Sequence, residues 1–490
     1  LSFRKDDCTM KIRQTVCILA GLALGTAALW AQQDTSQAPS DAQQKTPPPA
    51  AFGQENPPVL VNDNPPISAL DQPSLEPNIQ PRSMLLGGIE VSESLDSNIG
   101  SDARPTLHGV TRGLGSLTMQ RLWSRYQLAA AYVGGAGFYN ANGRGFQQLH
   151  DLQAQQTMLW RRGQFTLRDT VSYLPEGSFG FGSYGGAGGF RFGLGGIGTG
   201  MGMLGGGFGG QYGALGSEQF GSLGQSPRIS NAVLADVVEN LTPRSSITAA
   251  GSYGLVHFTD NTQSFINSRQ AGGQAAYNYT LGPKDQVAVQ YGFQSFHFPG
   301  LVSADNITSQ VVQVMYGHRV SGRMDLVFGA GPQWTRIADP LTGTSSRLSG
   351  SGRATLRYRF RKASATLSYE RFNTSGSGFF AGAQSDIVRA TLGRPLGRRY
   401  QARADVGYAH NKRLQLALLG VNANSFDYLF AGFALQRQFG YNWGAFLGYQ
   451  WNDQILDSSV CTPGVPCNRI AVRHVLTFGV DWHFRPIRID

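Results

Sequence analysis

Ionised side chains are scarce in this sequence. Asp, Glu, Lys and Arg supply 15% of its 490 residues, where about 25% is ordinary for a soluble domain. The charge that is present leans basic. Lys and Arg number 41 against 31 Asp and Glu, a net +10, which speaks for a basic surface or interior and not for any fold. Cysteine is nearly absent, at four. The eight histidines, at positions 108, 150, 257, 297, 318, 410, 474 and 483, form no pair at metal-ligand spacing. No nucleophile elbow occurs. Catalysis, a metal or a cofactor therefore has nothing in the sequence to rest on, and none is expected, nor is a nucleic-acid partner. The run Gly193–Gly198 matches the dinucleotide fingerprint by letters, but no strand precedes it and no helix follows, so the match reads as chance. Beyond residue 31 there is no run of about 18 apolar residues, which excludes a membrane-spanning helix from that part.

Two segments at the N-terminus stand apart. Met10, Lys11 and Arg13 precede the apolar run Val16–Trp30 and then small residues, the layout of a secretory signal peptide cut after Ala28 or Ala31. Residues 1–9 lie upstream of the start that Met10 implies. Residues 32–83 form a linker marked by Pro47–Pro49, Pro57–Pro58 and Pro65–Pro66. Such a chain is extended and solvated and buries no core, so a disordered spacer is expected there. Export permits oxidation. Cys461 and Cys467, the pair outside the leader region, are therefore expected to close a loop as a disulfide.

From Met84 onward the pattern has period two. Val287, Val289, Tyr291 and Phe293 share one face, with Gln286, Gln290 and Gln294 on the other. Trp443, Ala445, Leu447, Tyr449 and Trp451 likewise share a face. Side chains alternate across a strand, so these are half-buried strands. They run to about ten residues, where soluble strands average about five or six and membrane strands need about nine to eleven. Tight turns are expected near Trp123, Arg162, Pro243, Pro283, Gly322, Arg361, Gly397 and Gly440, about 40 residues apart with one interval doubled. Two long strands per period argue against a propeller blade, which holds four short ones. Eight turns with two strands each, plus Met84–Glu93 and Arg469–Phe484, give about 18 strands. The count falls to about 16 if the segments near 229–239 and 424–437, apolar on both faces, are not in the wall. The doubled interval is a Gly- and aromatic-rich insertion, residues 175–226. It folds inward as a constriction or lies outside as a surface loop, and both placements stand open.

The last strand carries a pattern of its own. Thr477, Gly479, Trp482 and Phe484 place a polar residue, a glycine and two aromatics in a C-terminal strand, with Val480, Trp482 and Phe484 on one face and Asp481 and His483 on the other. This resembles the insertion signal of bacterial outer-membrane β-barrels. The resemblance implies an all-β fold, a transmembrane antiparallel up-and-down barrel over residues 84–484 in the bacterial outer membrane. It puts the short turns and the linker in the periplasm and the long loops outside. It implies outer-membrane lipid and the barrel-assembly machinery as partners, with a homo-oligomer as a further expectation. Residues 485–490 extend past the aromatic at which the family stops.

Within such a barrel Arg168, Arg353, Arg357, Arg359, Arg389, Arg403 and Arg473 fall on the polar phase of their strands. They are lumen candidates that favour anionic solutes, unless they pair with Glu90, Asp325, Glu370 and Asp405. In the hairpin around Arg161–Gln164, Gln156 is expected opposite Asp169, both facing out. An acidic residue toward lipid costs up to about a few kcal/mol depending on depth, which motivates a subunit interface there. The leading function is a porin-like channel for passive diffusion of small hydrophilic solutes, anions among them. A non-conducting surface, adhesion or polymer-export barrel using the Gly/aromatic loop is the second reading, and an outer-membrane hydrolase the third.

Overall fold

The computed structural model describes residues 66–68, 83–99, 106–140, 145–175, 227–259, 265–299, 306–339, 343–376, 378, 380–397, 399–414, 424–440, 442–457 and 469–489. The signal peptide, most of the Pro-rich linker, the bulk of the Gly-rich insertion and both Cys461 and Cys467 lie outside the described residues. Residues 56–490 form one unit.

Every regular element described is a strand. The first six are β1 (Met84–Asp96), β2 (His108–Leu122), β3 (Tyr126–Tyr139), β4 (Gly145–Trp160), β5 (Gly163–Leu174) and β6 (Arg228–Thr242). Next come β7 (Ser245–Phe258), β8 (Ser268–Thr280), β9 (Asp285–His297), β10 (Asn306–Ser321), β11 (Met324–Asp339) and β12 (Gly343–Arg359). The series ends with β13 (Ser364–Thr374), β14 (Ala383–Leu396), β15 (Tyr400–Arg413), β16 (Ser425–Phe439), β17 (Trp443–Leu456), β18 (Ile470–His483) and the short β19 (Ile487–Arg488). Each strand from β1 to β18 pairs antiparallel with the next, and β18 returns to β1, with Val91 opposite Val480. The result is a closed 18-stranded up-and-down barrel. The eight short connections fall at the eight positions read from the sequence. Both β6 and β16 belong to the wall, so the count is 18 and not 16.

The barrel is inside out by the standards of a soluble protein. Across β9 and β10, Val289 faces Val314 and both are more than half exposed, while the neighbouring pair Gln290 and Gln313 is 1% exposed. Trp334 and Leu348 repeat the arrangement on β11 and β12. A continuous apolar exterior of this size is not stable in water. In lipid it is the required surface, because closure pairs every strand edge. Outward aromatics gather toward both ends. Trp123, Tyr126, Trp160, Tyr400, Phe439, Trp443 and Trp482 stand near the short turns, and Phe138, Phe146, Phe293 and Trp334 nearer the long loops, all exposed. Such paired girdles mark the two membrane interfaces of an outer-membrane barrel. At the short-turn girdle Arg437 lies over the rings of Tyr400 and Phe439, at 5.1 and 4.7 Å. The protein is a transmembrane barrel of the bacterial outer membrane.

The C-terminal extension has a structural place. Pro486 has no N–H to donate and interrupts the last strand. The ladder then resumes as β19, with Ile487 opposite Leu85 and Arg488 opposite Met84. Residues beyond Phe484 therefore extend the closing seam.

Candidate functional site: the lumen and its inward hairpin

The inner wall is polar because the period-two alternation puts one residue type on each face. Around β8–β12 the inward side chains are mostly amides and hydroxyls. Gln290 donates to Gln274 at 2.8 Å, Gln313 to Ser351 Oγ at 2.6 Å and Gln333 to Ser309 Oγ at 2.8 Å. The amide oxygens of Gln290, Gln313 and Gln333 are buried and accept from no donor among the described residues. They form a row of acceptors that water or a polar chain has to satisfy.

The seven arginines read from the sequence share this inward phase, but most of them meet a partner. Arg473 Nε donates to both Asp96 carboxylate oxygens, at 3.1 and 2.9 Å, across the closing seam. Arg357 Nε donates to Asp325 at 2.8 Å, and Arg389 Nε to Asp405 at 3.0 Å. Arg353 stands directly opposite Glu370, both buried. Arg168 donates to Gln155 at 3.1 Å. Arg403 lies between Gly393 and Ala434 of the flanking strands. Arg359 is exposed at the short-turn end of β12. Asp325 and Asp405 are partners that the sequence had offered; Asp96 is not, because it lies 377 residues from Arg473.

The insertion-signal residues line the same seam. Thr477 meets Ser94, hydroxyl to hydroxyl, at 2.9 Å. Gly479 lies across from Ser92, Trp482 faces outward, and Phe484 N–H donates to Gly87 O at 3.1 Å. On the outer face the register of β4 and β5 differs from expectation. The turn is Arg161–Arg162 alone, with Trp160 opposite Gly163, so Gln156 faces Leu167 and Asp169 faces Ala154. A two-residue turn fixes that register, and the longer turn assumed from sequence shifted it by two. Both residues still face out, and Asp169 accepts a 2.8 Å hydrogen bond from Asn231.

The feature that sequence reading missed is the inward turn of the upper end of β13 and of its connection to β14. Pairing of β11 with β12 runs to Asp339 opposite Gly343, whereas pairing of β12 with β13 ends at Gly352 opposite Arg371. Above that point β13 turns into the lumen, still paired with β14, which itself stays paired with β15 as far as Ala383 opposite Arg413. Asn373 reaches past β12, donating to Thr335 at 2.7 Å and Ser309 at 3.3 Å on β11 and β10. The tip extends further, where Gly378 O accepts from Ile266 N–H, at 2.9 Å, in the connection from β7 to β8. Phe372, Phe380 and Ile387 of the hairpin bury themselves against Phe296, Phe298, Ile307, Leu414, Phe426 and Phe430. That explains why β16 is apolar on both faces: its inner face meets the hairpin. Gly378 and Gly382 adopt φ of +80° and +83°, which glycine alone takes at little cost. A side chain at Gly378 would enter the Phe258 ring. The sequence signal was present in Gly376, Gly378, Phe380 and Gly382, because an aromatic set among glycines is out of place in a solvated loop.

No protein-family model matches the sequence, and no curated protein matches it. Among solved structures the chain is similar to the FrpB iron transporter of Neisseria meningitidis, with 8% identity and a TM-score of 0.39 over 83% of this chain and 82% of that one. It is similar to the ferric citrate transporter FecA in its unliganded form, with 9% identity and a TM-score of 0.39 over 82% and 79%. It is also similar to OccK2 (OpdF) of Pseudomonas aeruginosa, with 10% identity and a TM-score of 0.41 over 82% and 98%.

Proposed function

We propose that the barrel is a channel for passive diffusion of small hydrophilic solutes, anions among them, across the outer membrane. The observation that carries this reading is the inner face: a closed wall of 18 strands lined by Gln, Ser, Thr and Arg. A barrel of about 18 strands is too wide for side chains to fill and encloses an aqueous lumen. Solutes pass beside the inward hairpin, which narrows the long-loop end with an apolar surface. The arginines weight the lumen toward anions, but Asp96, Asp325, Asp405 and Glu370 face four of them. The expected selectivity is therefore graded.

Full-length protein refolded into planar bilayers tests the reading directly. Discrete conductance steps with a reversal potential displaced toward the anion in a salt gradient are expected. A silent barrel would overturn the channel and leave the surface or polymer-export reading. A clear cation preference would overturn the anion weighting alone.

A further inference from the structure

Residues 32–83 are expected to remain outside the barrel as a spacer. Pro66, Ile67 and Ser68 do not. They lie against the inner wall near the short-turn mouth. Ser68 is 1% exposed. Its backbone N–H donates to Asn278 Oδ1 at 3.2 Å, its hydroxyl to the same oxygen at 2.9 Å, and its Oγ meets Thr248 Oγ1 at 2.7 Å. Ile67 packs on Ala288, Met315 and Val327, and its carbonyl accepts from Arg353 Nη2 at 3.3 Å. These contacts come from β7, β8, β9, β10, β11 and β12, a third of the wall. The site fits its occupant in detail. A methyl group built at Gly317 would stand 2.9 Å from Ile67, so the missing side chain there makes room for it. The wall meets a backbone donor, a backbone acceptor, an apolar β-branched side chain and a hydroxyl in succession. A spacer making chance contact would not satisfy all four.

We propose that this wall site binds the chain's own Ile67–Ser68 step as a tethered plug, which occupies the short-turn mouth and must leave for solute to pass. The inference rests on the channel reading. Fourteen residues, 69–82, join Ser68 to Ser83 ahead of β1, and an extended chain of that length reaches about 46–50 Å. The tether therefore allows both a seated and a released position. It also holds the local concentration of the peptide at about millimolar, so a weak site stays filled. Arg353 Nη2 is shared between the Ile67 carbonyl, at 3.3 Å, and Met315 Sδ, at 2.8 Å, so the plug supplies part of its surroundings.

The test uses the full chain with Cys8→Ser, Cys17→Ser, Cys461→Ser and Cys467→Ser as background, carrying Ser68→Cys and Thr248→Cys. Oxidation is expected to link the two, seen as a mobility shift reversed by dithiothreitol. Conductance of the linked form is expected to be severalfold below that of the reduced form, while the cysteine-free background and its Ser68→Cys single variant respond to neither treatment. Ile67→Asp, which puts a carboxylate against Ala288, Met315 and Val327 without touching the barrel wall, is expected to raise conductance severalfold without any redox step. Failure to cross-link in a folded barrel would overturn the docking. Cross-linking with equal conductance in both redox states would overturn the plug. A barrel silent in every state, the Ile67→Asp variant included, would overturn the channel reading and the plug's role with it, and the cross-link would still report where the segment sits.

Discussion

Arg473 of β18 holds Asp96 of β1 through both carboxylate oxygens, and both side chains are at most 3% exposed. The pair fastens the first strand of the barrel to the last. Removing one partner of a buried pair leaves an uncompensated charge, which costs about 3–5 kcal/mol. Asp96→Ala is therefore expected to lower the urea midpoint of unfolding and the temperature at which the folded band is lost on gels. The double change Asp96→Leu with Arg473→Met removes both charges and is expected to recover most of that loss. Equal destabilisation by the single and double variants would show that packing, and not the charge pair, closes the seam.

Arg389 and Asp405 make a lumen pair whose two halves are separable by permeation. Arg389 is partly accessible while Asp405 is buried. Asp405→Asn keeps the shape and releases the arginine charge to the lumen, so the reversal potential is expected to move toward the anion. Arg389→Gln leaves the carboxylate and is expected to move it the opposite way. Unchanged selectivity in both variants would place this pair outside the solute path.

Much of the wall was legible because it follows from local chemistry. Strands such as β9 alternate Val and Tyr with Gln, and turns such as Gly397 and Gly440 take positive φ, at +76° and +68°. The inward hairpin was not legible on the same grounds. Phe372 alternates with its neighbours in the same way whether β13 stays in the wall or bends out of it, and only the end of pairing with β12 distinguishes the two. Ile67 was hidden for a related reason: Pro-rich composition reports the average of a segment, while its docking depends on three residues and on Gly317, far away in sequence. The partner of Arg473 was hidden because barrel closure joins the two most distant strands. The register of β4 and β5 turned on a turn length, which hydrophobic alternation leaves free.

The outer face near Asp169 differs from the rest of the wall. Asp169 and Asn231 are joined by a hydrogen bond, with Gln156 on the same face, and Ala154 opposite Asp169 and Ala130 beyond it stand among the exposed Leu152, Leu167 and Val171. We propose that a second copy of the chain covers this face, since a hydrogen-bonded polar pair on the outer wall suits protein better than lipid tails. Asp169→Leu with Asn231→Leu is expected to shift the detergent-solubilised protein toward monomer in light-scattering measurements, and an unshifted mass would remove the case for the interface.

The hairpin tip gives the sharpest handle on how wide the lumen opens. Gly378 combines φ of +80° with a Phe258 ring where a side chain would go. A β-branched residue is strongly disfavoured at such a φ, at a cost of about 1–3 kcal/mol, and here it would also collide with the ring. Gly378→Val is therefore expected to unseat the tip, expose Phe296, Phe298 and Phe426 to the lumen, and admit larger polymers in exclusion experiments. Gly397 supplies the control. It has a similar φ, +76°, in a tight turn with nothing within 4 Å of an added side chain. Gly397→Val is expected to strain that turn without altering polymer exclusion. If both variants lower stability alike and neither changes the exclusion limit, the hairpin is structural packing and the solute path runs elsewhere.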